Sequence, residues 1–435
     1  MLMLNRATQR LSRGLGGAKR QFSTAAANGA PALSSVTTQR QSFNKAGASS
    51  SSGGTKNSSS FYMPNAKDED PRPLDVKYWT GKSAIEFDKF RIDLSKYDLK
   101  NILSARDSEG KVAADLDKRD TIMLREHMED VFNRVGVVHM HNTGMEQFEE
   151  MQAVTHILFP QTTDYEGGAN LRKEIEPNVY DTGAPREADL QYHHEMAYID
   201  TSVKWVAFGA LHATDNPMKG ATYVSENLGA TERLLDSKFG QRLVEKGCCY
   251  IRKLPDQKFF TDNGLDSSIV YNFWQTSTGT EDMDEAAEIM RKKGLEVEWE
   301  ESPIFGRYMV TKYYVDTFEY DPYNDKNTMY ASVADDYAWF DSWPGVRDLP
   351  HWERPLKLNF GDGEVMTREE KQFWVDCYDS CGVPVAWEKG DLAIICNYRT
   401  AHGRPKYDLN AGEKRELGVI LGESFVRQGE VDGKW

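Results

Sequence analysis

The chain has 435 residues, 39% of them hydrophobic and 28% charged, with a formal net charge of −15 at neutral pH. That is enough apolar chain to bury a large core, and no stretch approaches the roughly 18–20 consecutive apolar residues that span a bilayer. Residues 1–67 carry nine Lys or Arg and no Asp or Glu, so a net −15 overall leaves −24 on the remainder. Such a body repels nucleic-acid phosphates and anionic lipid headgroups, which sets aside nucleic acid and membrane as partners.

In chain order, residues 1–43 are rich in Arg, Ser and Ala, with Leu4, Leu11 and Leu15 set among Arg6, Arg10 and Arg13 as one basic amphipathic helix would need. This composition resembles a mitochondrial presequence, with Arg20-Gln21-Phe22-Ser23 similar to a matrix-protease site; a plastid transit peptide shares the same acid-poor, Ser-rich character. Residues 48–60 read as a flexible Ser/Gly linker. The chain therefore divides into a leader and linker over 1–67 and one domain over 68–435, within which no repeat or composition shift marks a further boundary.

Inside that domain, apolar periodicity predicts helices over 114–134, 144–158, 230–246, 281–293 and 367–380. Strands are predicted over 136–140, 203–214, 248–254, 309–315, 392–398 and 416–421. Strands bracketed by helices point to an α+β protein on a double-stranded β-helix, or jelly roll, whose open mouth lets side chains from distant strands converge on one metal. Cys248, Cys249, Cys377, Cys381 and Cys396 are odd in number and lack paired knuckles, which argues against a disulfide framework or structural zinc. Reduced thiols are expected.

Two remote segments carry the chemistry, Tyr192-His193-His194-Glu195-Met196 and Thr400-Ala401-His402-Gly403-Arg404. His193 and Glu195, two apart, leave the same face of an extended strand, whereas a helix would splay them by roughly 200°. His402, beyond the apolar run at 392–396, supplies a third donor. Two imidazoles and one carboxylate are the set that binds Fe(II) on one face and leaves positions open for substrate and dioxygen. His194 is expected to pack beside the site, and His139, His141, His156, His212 and His351 have no partners at metal-site spacing.

With these residues the chain resembles the Fe(II)/2-oxoglutarate-dependent dioxygenases of the taurine dioxygenase and clavaminate synthase-like group, from about Asn170 to Glu423. The likeness runs through Gln191-Tyr192-His193-His194-Glu195-Met196, Lys219-Gly220-Ala221-Thr222, Glu245-Lys246-Gly247-Cys248-Cys249-Tyr250-Ile251-Arg252, Phe360-Gly361-Asp362-Gly363, Trp387-Glu388-Lys389-Gly390-Asp391 and Ala401-His402-Gly403-Arg404, ending at Arg415. The resemblance implies an enzyme with Fe(II) on His193, Glu195 and His402, using 2-oxoglutarate and dioxygen as cosubstrates. It also implies that Arg415 and Thr222 bind the distal carboxylate of 2-oxoglutarate, which needs a fixed bidentate cation. Relatives that halogenate replace the carboxylate ligand by a small residue, so Glu195 implies oxygen transfer or hydrogen removal instead.

Arg404 and Arg399 are candidates for a substrate carboxylate. Where many relatives have an acidic residue before an Asn leading to the distal histidine, this chain has Cys396-Asn397, which leaves the role of that position open. The substrate implied is small, anionic or amino-acid-like, and the product arises by hydroxylation, desaturation or cyclisation. More narrowly, the chain is similar to algal dioxygenases that close an N-prenylated glutamate to a kainoid, as in domoic acid biosynthesis. A non-catalytic metal-binding jelly roll and a zinc hydrolase on the same three side chains are the competing classes.

Overall fold

The computed structural model describes residues 69–435 except 84, 85, 87, 88, 166–171, 268, 269, 271 and 335. The expected leader and linker lie outside the described residues. The chain is a mixed α/β protein with one large sheet, and no helix among the described residues is long and apolar enough to cross a membrane.

The large sheet has seven strands in the order Arg91–Asp93, Val137–His141, Leu392–Cys396, Thr201–His212, Glu416–Val426, Val179–Tyr180, Glu174–Glu176. Its first pair is parallel and the others antiparallel. A four-stranded antiparallel sheet runs Gly382–Val385, Thr222–Glu226, Thr400–Arg404, Leu190–His193. A second four-stranded sheet combines Glu296–Ser302, Gly306–Val315, Cys248–Pro255 and Leu356–Phe360. The principal core draws on the first two sheets together, with Val206, Ile394 and Val419 from the larger meeting Val224, Val383 and Val385 from the smaller in one apolar cluster. The central strands of the large sheet are buried on both faces, which is why they read as continuous apolar runs rather than alternating ones.

Helix Arg119–Val135 packs against this core through Leu124, Met128, Val131 and Phe132, a three-and-four spacing that makes one apolar stripe. It ends at Gly136, whose φ of 82° is the left-handed conformation a helix stop requires. Helix Phe148–Leu158 starts at a capping box between Gln147 and Glu150, later than the predicted 144, and Arg368–Asp379 starts at the Thr367–Glu370 box. The single helix predicted over 230–246 is two, Asn227–Leu235 and Lys238–Lys246. Ser237 interrupts it by capping the second, accepting the Gly240 N–H at 2.9 Å. All five cysteines are free.

The first described segment is tied to helix Arg368–Asp379, where Asp379 accepts the Lys77 and Tyr78 amides at 2.8 and 2.6 Å. Tyr78 then spans two strands of the smaller sheet, its hydroxyl 3.1 Å from the Leu190 carbonyl and 3.2 Å from that of Arg404. Burial pushes the Asp379 carboxyl up to about 6 despite its two hydrogen bonds. The folded protein thus holds this proton more tightly than the unfolded chain, so the contribution to stability is full below pH 4 and is lost as pH rises through 6. Asp379→Asn is expected to lose one amide acceptor, costing about 1 kcal/mol at every pH. It should also remove this slope, worth on the order of 1–3 kcal/mol between pH 4 and 7. Urea midpoints of both proteins at pH 4.5 and 7 check this, and equal differences at both pH values would refute it.

Candidate metal centre

The strand Leu190–His193 pairs antiparallel with Thr400–Arg404, and the register sets His193 directly opposite His402. Their rings lie 4.2 Å apart between centroids. Cross-strand neighbours are held at such spacing by the backbone ladder itself, so the two imidazoles are placed by sheet geometry rather than by loops. Gly403 permits this approach: a Cβ there would lie 2.9 Å from the Leu190 carbonyl oxygen and 3.1 Å from the Tyr78 ring.

Glu195 comes from the turn that follows the strand, not from the strand, and Met196 beside it has φ 58°. Asn397 fixes that turn from both sides, accepting the Glu195 N–H at 2.8 Å and donating to the Glu195 carbonyl at 3.0 Å and to Val203 at 2.8 Å. The Ser202 hydroxyl donates to the same Glu195 carbonyl at 2.7 Å. This gives Asn397 a structural duty, while Cys396 is buried in its strand opposite Trp205.

One nitrogen or oxygen from each of His193, Glu195 and His402 falls within 4.8 Å of the others, and all three residues are buried. The Nδ1 of His193 lies 3.0 Å from the Gln191 carbonyl oxygen, which only accepts. In the neutral ring the proton therefore sits on Nδ1, and Nε2 carries the lone pair a metal would use. His402 Nε2 is 3.8 Å from Glu195 Oε2, and its Nδ1 is buried with no hydrogen-bond partner among the described residues. Burial above all, then the charges of His193 and Arg172, hold the His402 imidazole well below its ordinary range, in the neutral form a metal needs. Phe208, from the large sheet, meets the His402 ring edge-on at 5.3 Å. The donor set fits a divalent cation of imidazole and carboxylate preference.

His194 points away, stacking on Tyr330 at 4.8 Å, with its Nδ1 3.1 Å from the Ala331 carbonyl oxygen and 3.2 Å from the Ala331 amide nitrogen. Burial pushes it down to about 3, so it is a neutral packing residue.

Sequence reasoning missed Arg172. Its Nη2 lies 3.0 and 2.8 Å from the two Glu195 oxygens, and its guanidinium sits over the Tyr165 ring at 4.9 Å. Burial opposes its charge, but Glu195, Tyr165 and Tyr198 raise its pKa above the ordinary arginine value. A carboxylate has about four acceptor positions, so this contact leaves room for a metal on Glu195.

Arg415 donates from Nη2 to the Gly220 carbonyl at 2.7 Å, two residues before Thr222, and from Nη1 to the Tyr407 hydroxyl at 3.3 Å. Its Nε is buried without a hydrogen-bond partner, and it has no ion-pair partner among the described residues. Burial therefore lowers its pKa, with only Tyr407 opposing. The Thr222 hydroxyl accepts the Trp387 indole N–H at 3.2 Å, which leaves its own proton to donate.

Arg404 stacks over Tyr407 at 5.0 Å, as Arg415 does at 4.8 Å. Its guanidinium is committed to the carbonyls of Pro185 at 2.8 Å, Pro405 at 3.2 Å and Arg186 at 3.4 Å, and burial pushes it down to about 10. The structure thus gives Arg404 a backbone-tying role where the sequence suggested a substrate contact. Arg399 is corrected more fully. Expected at a substrate carboxylate, its guanidinium is instead spent on the end of helix Arg119–Val135, donating to the Phe132, Asn133 and Arg134 carbonyls at 3.0, 2.9 and 3.3 Å.

No family model matches the chain. Over 292 residues it is 23% identical to a clavaminate synthase-like protein of Arabidopsis thaliana, a match covering 66% of this chain and 83% of that one. Among solved structures it is similar to an asparagine oxygenase in complex with Fe(II), 3-hydroxyasparagine and succinate, at 12% identity and a TM-score of 0.41, covering 78% of this chain and 94% of that one. It is also similar to PvcB, an iron- and alpha-ketoglutarate-dependent oxygenase from an isonitrile synthetic pathway, at 12% identity and a TM-score of 0.39, covering 75% and 93%.

Proposed function

We propose that this chain is an Fe(II)- and 2-oxoglutarate-dependent oxygenase that oxidises a small, anionic, amino-acid-like substrate by hydrogen abstraction. The observation that carries this reading is the buried trio His193, Glu195 and His402 in the same fold as Arg415, a buried cation without a counter-anion among the described residues. An uncompensated buried charge is costly, and a carboxylate of the right reach removes that cost. The Arabidopsis relative, named for its likeness to clavaminate synthase, supports the same class. A zinc hydrolase on the trio would leave Arg415 without a role, and so would a non-catalytic metal site.

When bound, Fe(II) would supply dioxygen activation coupled to decarboxylation of 2-oxoglutarate to succinate. His193, Glu195 and His402 would hold it, while Asn397 keeps the Glu195 backbone in place and Phe208 packs against the His402 ring. Arg415 and the Thr222 hydroxyl would orient the distal carboxylate of the cosubstrate. The larger sheet and the four-stranded sheet that shares its core are read as the two halves of a double-stranded β-helix. Residues 1–67 are read as an organelle leader and linker, mitochondrial matrix ahead of plastid, with the catalytic domain over 68–435.

Anaerobic addition of Fe(II) and 2-oxoglutarate is expected to give a weak visible metal-to-ligand band, and oxygen should then release succinate. Absence of both overturns the proposal. Arg415→Ala is expected to raise the 2-oxoglutarate concentration for half-maximal succinate release by about 10- to 100-fold, the value of one or two charge-assisted hydrogen bonds. An unchanged requirement would remove Arg415 from the site. The narrower reading, ring closure of an N-prenylated glutamate to a kainoid, is separated from hydroxylation by mass spectrometry. Products gain about 16 mass units on hydroxylation and lose about 2 on cyclisation or desaturation.

A further inference from the structure

Arg172 does more than neutralise Glu195. Both Glu195 oxygens are reached by one nitrogen, Nη2, at 3.0 and 2.8 Å, which leaves the other arm of the fork unspent. That arm, Nη1, is buried with no hydrogen-bond partner among the described residues. The guanidinium is held flat by the Tyr165 ring at 4.9 Å, and the Tyr165 hydroxyl lies 3.4 Å from that of Tyr198, so its orientation is set by packing. A rigid, buried guanidinium with an idle N–H arm beside a metal trio is a half-filled bidentate site. Buried donors are nearly always satisfied, so an idle one in a candidate active site marks the place of an absent acceptor.

Tyr198 also forms part of the wall of a cavity of about 240 Å³, and the Arg252 guanidinium lies 4.0 Å from the centroid of the same Tyr198 ring. The cavity carries apolar surface from Ile199, Leu254 and Leu295. It is far larger than one water requires, and Tyr198, whose hydroxyl meets that of Tyr165, is the wall residue that links it to the surroundings of Arg172.

We propose that Arg172 is the specificity-determining residue of the site, its Nη1 arm receiving a free carboxylate of the substrate while Nη2 keeps Glu195 in place. This rests on the oxygenase reading and adds to it the substrate class: free carboxylic acids, not their amides or esters. A carboxamide of the same shape turns an N–H₂ donor toward the Nη1 donor or offers it only a weak neutral acceptor, so the site should reject it.

The test uses the full chain with Mn(II) in place of Fe(II), so that nothing turns over, and calorimetry in the presence of 2-oxoglutarate. The probes are the common L-amino acids and the carboxamide of each. The tightest-binding acid is expected to bind about 30- to 100-fold more tightly than its own carboxamide. In Arg172→Lys, whose single ammonium cannot serve both partners, that ratio should fall below about 5-fold. Mn(II) affinity is measured on the same samples, and the acid-to-amide ratio is compared only at full metal occupancy. Equal binding of acids and amides by the parent protein, binding of no acid in the panel, or a ratio unchanged in Arg172→Lys overturns the proposal. All three leave the oxygenase reading standing provided that 2-oxoglutarate binds the Mn(II)-loaded protein. Failure of 2-oxoglutarate to bind overturns both.

Discussion

Alanine at His402 is expected to abolish tight metal binding and to reduce succinate release at least 1,000-fold, while leaving far-UV circular dichroism unchanged. Three donors converge on one point, and the loss of one leaves a two-ligand site that no longer competes with water. The strand itself should persist, because its ladder to Val224 on one side and His193 on the other is made by backbone atoms. His193→Ala should behave alike. Glu195→Ala should lose metal equally but be the least stable of the three, since it alone leaves the buried Arg172 without its carboxylate. Calorimetric Mn(II) binding, succinate release and thermal unfolding on the three variants check this order. Turnover retained by any one of them would place the metal elsewhere.

Arg172→Leu is expected to destabilise the metal-free protein by about 3 kcal/mol, because it strands the Glu195 carboxylate in a site where both side chains are almost fully buried. With saturating Mn(II) the deficit should shrink to about 1 kcal/mol, since the divalent ion then supplies the missing positive charge and stabilises the folded state by mass action. Melting temperatures with and without Mn(II) measure this: the gap between parent and variant should be several degrees without metal and narrow with it. A gap of the same size in both states would mean that Arg172 acts through packing on Tyr165 and not through the charge of Glu195.

The three donors are legible in the sequence as residue types, because two imidazoles and a carboxylate in such a pattern have few other uses. What brings them together is not. The opposition of His193 and His402 depends on strand register, and register is a relation between segments that neither segment encodes alone. Strands Leu190–His193 and Thr222–Glu226 are too short to show a period, and Gly382–Val385 contains Pro384, which reads against a strand. Strands buried along their whole length, such as Leu392–Cys396, announce themselves as apolar runs. The break between the helices Asn227–Leu235 and Lys238–Lys246 is signalled by Asp236-Ser237, a capping pair masked by the apolar stripe around it.

Arginines are the least legible. Arg172 lies in a stretch without periodicity, and nothing in its neighbours distinguishes it from a surface cation; only its place at the start of the family-like region, close to Asn170, hints at it. Arg399 sits three residues before a metal-type histidine and yet turns to a helix terminus, because the chain reverses between the Leu392–Cys396 and Thr400–Arg404 strands and carries it past Gly136. Proximity in sequence to a ligand is a poor guide where strands change sheets.

Because the two imidazoles face each other across a backbone ladder, their spacing is set by that pairing and not by the length of the tract of chain between them. Helices, a whole additional sheet and the cavity behind Tyr198 are all carried on that tract. Changes in that additional sheet or in the cavity wall therefore leave the facing imidazoles where the strand pairing sets them.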